Sequence, residues 1–289
     1  MYICVYITQN VILMFTLNLD PNFTPYTATA LPHKTFTFYG GEPHIKIEEH
    51  FDTSQIVTIT HRLNSFNALG EVCIAADALR RMGVTCINLC IPYFPGARQD
   101  RVMVPGEPLT VKVYATIINS LGFGKVTIFD PHSDVAPALL DNVEVISNHA
   151  FISQVIQLIG SPVKLIAPDG GALKKIYKLS AYLGVHDVTE CGKSRDVATG
   201  KLGGFKVYEE DLAGADCLIV DDISDGGGTF TGLAEALKAK NAGKLYLAVS
   251  HGIFSKGFDV LAQSFETIFT TNSFRDVNHP VVRQIQLSF

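Results

Sequence analysis

From about residue 55 to the end, short apolar runs closed by Gly, Pro, Asp or Asn alternate with stretches of helical period. Six runs have the length and β-branched content of buried strands: 55–60, 85–93, 125–130, 163–167, 216–222 and 244–250. Between them, Val72, Ala75, Ala76 and Leu79 mark one helical face, and Phe230, Leu233, Ala234 and Leu237 mark another. Both stripes read as core. Strand and helix in alternation predict an α/β fold with mainly parallel sheets. A weak echo, Asp-x-x-Ser-Asp after an apolar strand at 130–134 and again at 221–225, implies two halves of similar topology. Ligands bind at the carboxyl ends of strands in such sheets.

Composition narrows the function classes. A chain of 289 residues, 47% hydrophobic, can bury two domain cores, and a net charge of -5 advertises no affinity for nucleic acid or anionic membranes. Polyanionic ligands must therefore be met by local cations. The six cysteines, Cys4, Cys73, Cys86, Cys90, Cys191 and Cys217, lack CxxC spacing and read as reduced thiols of a cytoplasmic protein. Residues 1–19 imitate a signal peptide, but they lack a basic start and a small-residue cleavage site. Met14 is an alternative start, and residues 1–35 are read as an extension or edge segment. No run reaches the roughly 18 uninterrupted apolar residues of a membrane span.

The richest stretch is 217–229, an apolar strand ending in Asp221 and Asp222 and opening into Asp225, Gly226, Gly227, Gly228 and Thr229. Glycines let backbone N–H groups turn toward an anion, and the following helix adds its positive end. The two carboxylates can accept hydrogen bonds from sugar hydroxyls or hold a metal. Residues 91–101 end another strand in a Pro-Gly turn and present Arg98, Gln99, Asp100 and Arg101, two permanent cations suited to a polyphosphate. His132 and Asp169 close two further strands, and hard oxygen donors there suit Mg²⁺. Residues 191–205, with Lys193, Arg195 and Lys201, read as a mobile loop of the kind that closes over phosphate. P-loop, dinucleotide, hydrolase-elbow and zincin motifs are missing.

In order, the segments IPYFPGARQDR, GEPLTVKV, FDPHSD, APDGG, DDISDGGGT and SHGIFS resemble the ribose-phosphate pyrophosphokinases over residues 36–275. The DDxxxxGGT-like loop is shared with type I phosphoribosyltransferases, whereas RQDR and SHGIFS separate the kinases from them. The resemblance implies two phosphoribosyltransferase-like domains, 36–149 on the ATP side and 150–289 on the ribose-phosphate side. It implies transfer of diphosphate from Mg-ATP to ribose 5-phosphate, with ATP and a phosphorylated ribose as partners and dimers commonly assembled into hexamers.

By the same resemblance, Asp221 and Asp222 hold ribose hydroxyls, residues 225–229 the 5-phosphate, and 98–101 the ATP phosphates. His132 and Asp169 match magnesium positions, and Lys193, Arg195, Arg98 and His132 match catalytic ones. Phe38 and Glu42 match residues that a neighbouring subunit places around adenine. Two departures bear on substrate: Gly226 stands where the family carries a small hydroxyl residue, and Gly40 where it carries a polar one. A larger acceptor such as ADP-ribose is therefore an alternative, as are a phosphoribosyltransferase and a non-catalytic synthetase subunit.

Overall fold

The computed structural model describes residues 14–48, 50–185, 187–195 and 202–289. Its first part opens with β1 (Met14–Asn18), β2 (Thr29–Ala30), the hairpin β3 (His33–Thr37) and β4 (Pro43–Ile47), then β5 (Ile56–Thr60) and helix α1 (Phe66–Arg81). It continues through β6 (Ile87–Cys90), α2 (Thr110–Ser120), β7 (Val126–Phe129), α3 (Val135–Leu139) and β8 (Val143–Ile146). After α4 (His149–Ile159), the second part runs β9 (Lys164–Ala167), α5 (Leu173–Leu183), β10 (Val188–Arg195), β11 (Leu202–Val207) and β12 (Cys217–Ser224). It ends with α6 (Gly228–Ala239), β13 (Leu245–Gly252), α7 (Asp259–Ala262), β14 (Thr267–Thr271) and β15 (Val282–Ile285).

The strands form two large sheets, ordered β2-β1-β5-β6-β7-β8 and β11-β10-β9-β12-β13-β14-β15. The first is parallel throughout, and the second is parallel except for the antiparallel β10–β11 pair. Both sheets are covered by helices, as continuous apolar strands require. In α1 the periodic face Val72, Ala75, Ala76 and Leu79 is fully buried, and Ser65 caps the helix by accepting from the Ala68 N–H. In α6, Phe230, Leu233, Ala234 and Leu237 pack against β12 and its neighbours in a core with Ile219 and Leu247.

Two expectations change. Residues 191–195 and 202–205, read above as loop, are the paired arms of β10 and β11. Cys191, Phe205 and Val207 lie on one side of that hairpin and pack into the core, which the polar composition concealed. Residues 196–201, the Arg195 side chain, and 1–13 with the question of the start lie outside the described residues. Met14–Asn18, within the segment read as an extension or edge segment, pairs with both β2 and β5 in register, one strand in from the sheet edge.

The parts meet where strand ends converge. His251, fully buried at the end of β13, donates from Nε2 to the carbonyls of Phe129 and Asp130 at 3.1 and 3.2 Å. Buried Arg62 spans Asp20 and Asp276, with Nη1 2.9 Å from the latter carboxylate. Burial of Arg62 is tolerable because both forks of the guanidinium meet carboxylates.

Candidate active site

A cavity of about 1060 Å³ lies over the carboxyl ends of β7, β9 and β12, on the side where open α/β sheets place ligands. Its floor is Asp221 and Asp222, carried by β12. Asp222 accepts from His132 Nδ1 at 3.0 Å and from the Lys175 ammonium at 3.1 Å. Lys175 also donates to Asp130 at 3.2 Å and to the Pro131 carbonyl at 2.7 Å. Asp130 is itself buried and takes further hydrogen bonds from Asn148 and Ser250. One lysine of α5 thus ties the ends of β7 and β12 together.

The environment separates the two adjacent carboxylates. Burial opposes charge on Asp222, but the His132 hydrogen bond and the Lys175 ammonium outweigh it and hold its carboxyl down at about 2. Asp221 lacks those partners; burial and the neighbouring Asp222 charge push it up to about 7. The hydrogen bond to Asp222 raises His132 above its ordinary value, against the pull of burial. The floor therefore combines one firmly ionised acceptor with one carboxyl that a cation or a hydroxyl-bearing ligand would draw into its charged form.

Beside the floor, β12 gives way to the glycine turn. Gly227 takes φ 76°, which glycine adopts without Cβ strain, and begins α6 with no side-chain cap. Gly226 to Phe230, at the start of α6, line the cavity, and no side chain caps the helix there, as an anion-binding helix start requires. Asp225 is held low by the Ser255 hydroxyl and by Arg98, whose Nη1 lies 2.9 Å away. That contact joins the RQDR turn directly to the glycine loop.

Arg98, Asp100, Arg101, His132, Asp169 and Lys193 all line this cavity, together with 221–222 and 225–229. Lys193 on β10 forms an ion pair with Asp169 at the end of β9, and the same Asp169 accepts from the Gly171 and Ala172 N–H groups at 2.9 and 3.2 Å. Asp100 pairs with Arg101 at 3.1 Å. Gln99, Phe38 and Glu42 do not line the cavity; Phe38 and Glu42 face each other across the β3–β4 turn, where the Phe38 N–H donates to the Glu42 carbonyl at 2.9 Å. Lys175 escaped sequence reasoning because its contacts lie 44–47 residues away in the chain. Its one signal is a lysine pair directly after the Asp169 turn, which otherwise reads as a solvated helix face.

Magnesium takes oxygen donors and keeps several waters. Among the described residues, no three His, Cys, Asp or Glu side chains converge on one point. The cavity instead offers His132, Asp169 and Asp221 separately. That suits an ion which keeps waters and takes one or two protein ligands beside substrate phosphates.

Comparisons with known proteins bear on this geometry. A family model described as the N-terminal domain of ribose phosphate pyrophosphokinase matches residues 24–122, and the phosphoribosyl transferase domain matches 138–274. The ribose-phosphate pyrophosphokinase of Ureaplasma parvum is 32% identical over 200 residues, covering 65% of this chain; the chain spans 58% of that protein's length. The Mycoplasma pneumoniae protein of the same name is 30% identical, with 75% and 67% covered. A putative ribose-phosphate pyrophosphokinase 2 of Streptococcus pyogenes is 30% identical, with 83% and 75% covered. The crystal structure of phosphoribosylpyrophosphate synthetase from Mycobacterium smegmatis superposes with a TM-score of 0.78 at 20% identity, over 95% of this chain and 94% of that one, so the two share a fold.

Proposed function

The chain belongs to the ribose-phosphate pyrophosphokinase family of transferases, and we propose that it transfers the β,γ-diphosphate of Mg-ATP to the C1 hydroxyl of ribose 5-phosphate. The observation that carries this reading is the single cavity shared by the Asp221–Asp222 floor, the glycine loop and the RQDR cations. One half suits a phosphorylated sugar and the other a polyphosphate.

In this reading Asp221 and Asp222 accept hydrogen bonds from the ribose hydroxyls, and the amides of 225–229 cradle the 5-phosphate. Arg98 and Arg101, with Gln99 and Asp100 beside them, hold the ATP phosphates. The C1 hydroxyl releases its proton to solvent as its oxygen bonds to the β-phosphorus, and the bond from that phosphorus to the α,β-bridging oxygen breaks, so that this oxygen leaves with AMP and phosphoribosyl diphosphate is formed. Arg98, His132, Lys193 and Arg195 balance charge on the transferring group, an electrostatic task that needs positioned donors more than covalent chemistry. Lys193 exchanges Asp169 for that group when substrates enter. His132 and Asp169 would hold magnesium, which neutralises charge on the diphosphate when bound.

We assign 36–149 and 150–289 to the ATP and acceptor domains, and Phe38 and Glu42 to an adenine contact made across a subunit interface of a homo-oligomer. Phe38 is 53% exposed, as a side chain awaiting such a partner would be. A cytoplasmic location accords with these substrates; among the described residues no helix is long and apolar enough to cross a membrane.

A second reading keeps the chemistry and enlarges the acceptor to ADP-ribose. It is favoured by Gly226, where the three atoms nearest to an added Cβ all belong to the flexible stem of Lys256, the first at 3.4 Å, so the neighbour there can move aside. Incubation with Mg-ATP and either acceptor, with AMP followed by chromatography, tests both readings. AMP with ribose 5-phosphate supports the first and AMP with ADP-ribose alone the second, while AMP from neither refutes the transferase assignment.

A further inference from the structure

The loop after β13 crosses the glycine turn and is stitched to it. The N–H groups of Ile253 and Phe254 donate to the Ser224 carbonyl at 2.8 and 3.1 Å, and that of Ser255 to the Asp225 carbonyl at 3.1 Å. The Ser255 hydroxyl adds a bond to the Asp225 carboxylate at 2.6 Å. Phe254 makes this crossing possible at a cost: it is buried and sits at φ 47°, a left-handed conformation that side chains rarely adopt. The strained residue redirects the chain so that the next two residues lie over the turn.

Lys256 is delivered to that place. Its stem passes over Gly226, with Cδ and Cε each 3.4 Å from where a Cβ would stand. Gly226 has no positive φ, unlike Gly227 at 76°, so backbone geometry does not demand glycine there. What occupies the side-chain position instead is the lysine stem. Lys256 lines the cavity beside Gly226–Thr229. Of the other cations that line the cavity, Arg98, Arg101, Lys174, Lys175 and Lys193 are paired with carboxylates, while Lys178, on the α5 side, takes part in no ion pair among the described residues. Lys256 takes part in no ion pair among the described residues.

We propose that Lys256 is a binding residue for the 5-phosphate of the acceptor, its ammonium supplying above Gly226 the donor that a glycine at this position cannot. The inference rests on the sugar-phosphate reading of the cavity. The loop amides and Thr229 bind the anion from the helix side, and Lys256 brings a full positive charge from the opposite side. A lysine serves here as a compact, rotatable point charge, which suits a phosphate that enters and leaves.

Calorimetric titration of the full chain with ribose 5-phosphate, ADP-ribose and unphosphorylated ribose reads this contact without requiring turnover. Lys256→Met is expected to weaken ribose 5-phosphate binding about tenfold or more, while Lys256→Arg stays within about threefold of the parent. Gly226→Leu, which leaves the ammonium intact but displaces its stem, is expected to reproduce the loss. An equal loss with ADP-ribose assigns the contact to the C5 phosphate common to both acceptors, and a loss confined to ribose 5-phosphate assigns it to the free monoester. Because Lys256 is exposed, an unchanged thermal midpoint is expected to accompany the loss. Equal affinity of the parent and Lys256→Met for ribose 5-phosphate, or no preference of the parent for it over ribose, overturns the inference. AMP formation, measured separately, decides the transferase reading by itself.

Discussion

The Lys175 ammonium lies 3.1 Å from the Asp222 carboxylate and 3.2 Å from that of Asp130, so one helix side chain neutralises the ends of two strands from different sheets. Both carboxylates are buried, and removal of the cation would leave their charges facing each other. Fully buried pairs lose about 3–5 kcal/mol when one partner is removed. Lys175 is 39% exposed, so solvent replaces part of its role and Lys175→Met is expected to cost about 2 kcal/mol. The midpoint of urea unfolding checks this. A loss within about 0.5 kcal/mol would mean that the carboxylates relax into water instead of depending on the lysine.

Asp222 raises the affinity of His132 for its proton through their 3.0 Å hydrogen bond. In Asp222→Asn the acceptor charge disappears, while Lys175 and burial continue to oppose protonation of the imidazole. The His132 titration, followed by proton–nitrogen NMR, is therefore expected to move to lower pH. The same substitution removes the like charge beside Asp221, which should titrate lower as well. Movement of His132 to higher pH would contradict the assigned pairing.

Much of this arrangement was legible in the chain because the site is built from strand ends. The run 216–222 was recognisable as β12 from its unbroken apolar residues, and the paired aspartates mark where that strand leaves the core. Arg98, Asp100, Arg101, His132 and Asp169 follow other strands and reach the same cavity by that topology. Contacts between these segments were not legible. The Arg98–Asp225 bond joins positions 127 residues apart, and nothing local to either residue records it. The β10–β11 hairpin was missed for a different reason: its glycines and lysines carry loop composition, while pairing and one buried face impose a strand. Lys256 directly follows the SHGIFS segment that marks the family, but its place over Gly226 follows from the conformation of Phe254.

Lys193 is held by Asp169 at the cavity wall, and in the proposed reaction it leaves that carboxylate to meet the transferring diphosphoryl group. A cation that acts only as charge develops contributes to turnover more than to ground-state binding. Lys193→Ala is expected to reduce kcat about 100-fold or more, with the KM for ATP within about threefold of the parent. Lys193→Arg should recover part of the rate, since charge is kept while length and planarity change. Steady-state AMP formation at varied ATP distinguishes the outcomes. A rise in KM at constant kcat would make Lys193 a ground-state ligand of ATP instead.

The carboxyl of Asp221, pushed up to about 7 by burial and by Asp222, links stability to pH with a definite sign. An unfolded aspartate releases its proton near 3.9, so between that value and about 7 the folded chain holds a proton that the unfolded chain has lost. This group therefore contributes a stability that falls as pH rises through the window, opposite to the usual carboxylate. Asp222 acts in the reverse direction at lower pH, its contribution being lost only as pH drops from about 4 toward 2. Asp221→Asn removes the first dependence without altering side-chain volume. The variant is expected to be on the order of 1–2 kcal/mol more stable than the parent at pH 8, with the difference shrinking toward pH 5. Urea unfolding at a series of pH values checks both the size and the slope. A difference that grows toward acid pH would reverse the protonation order of the two aspartates.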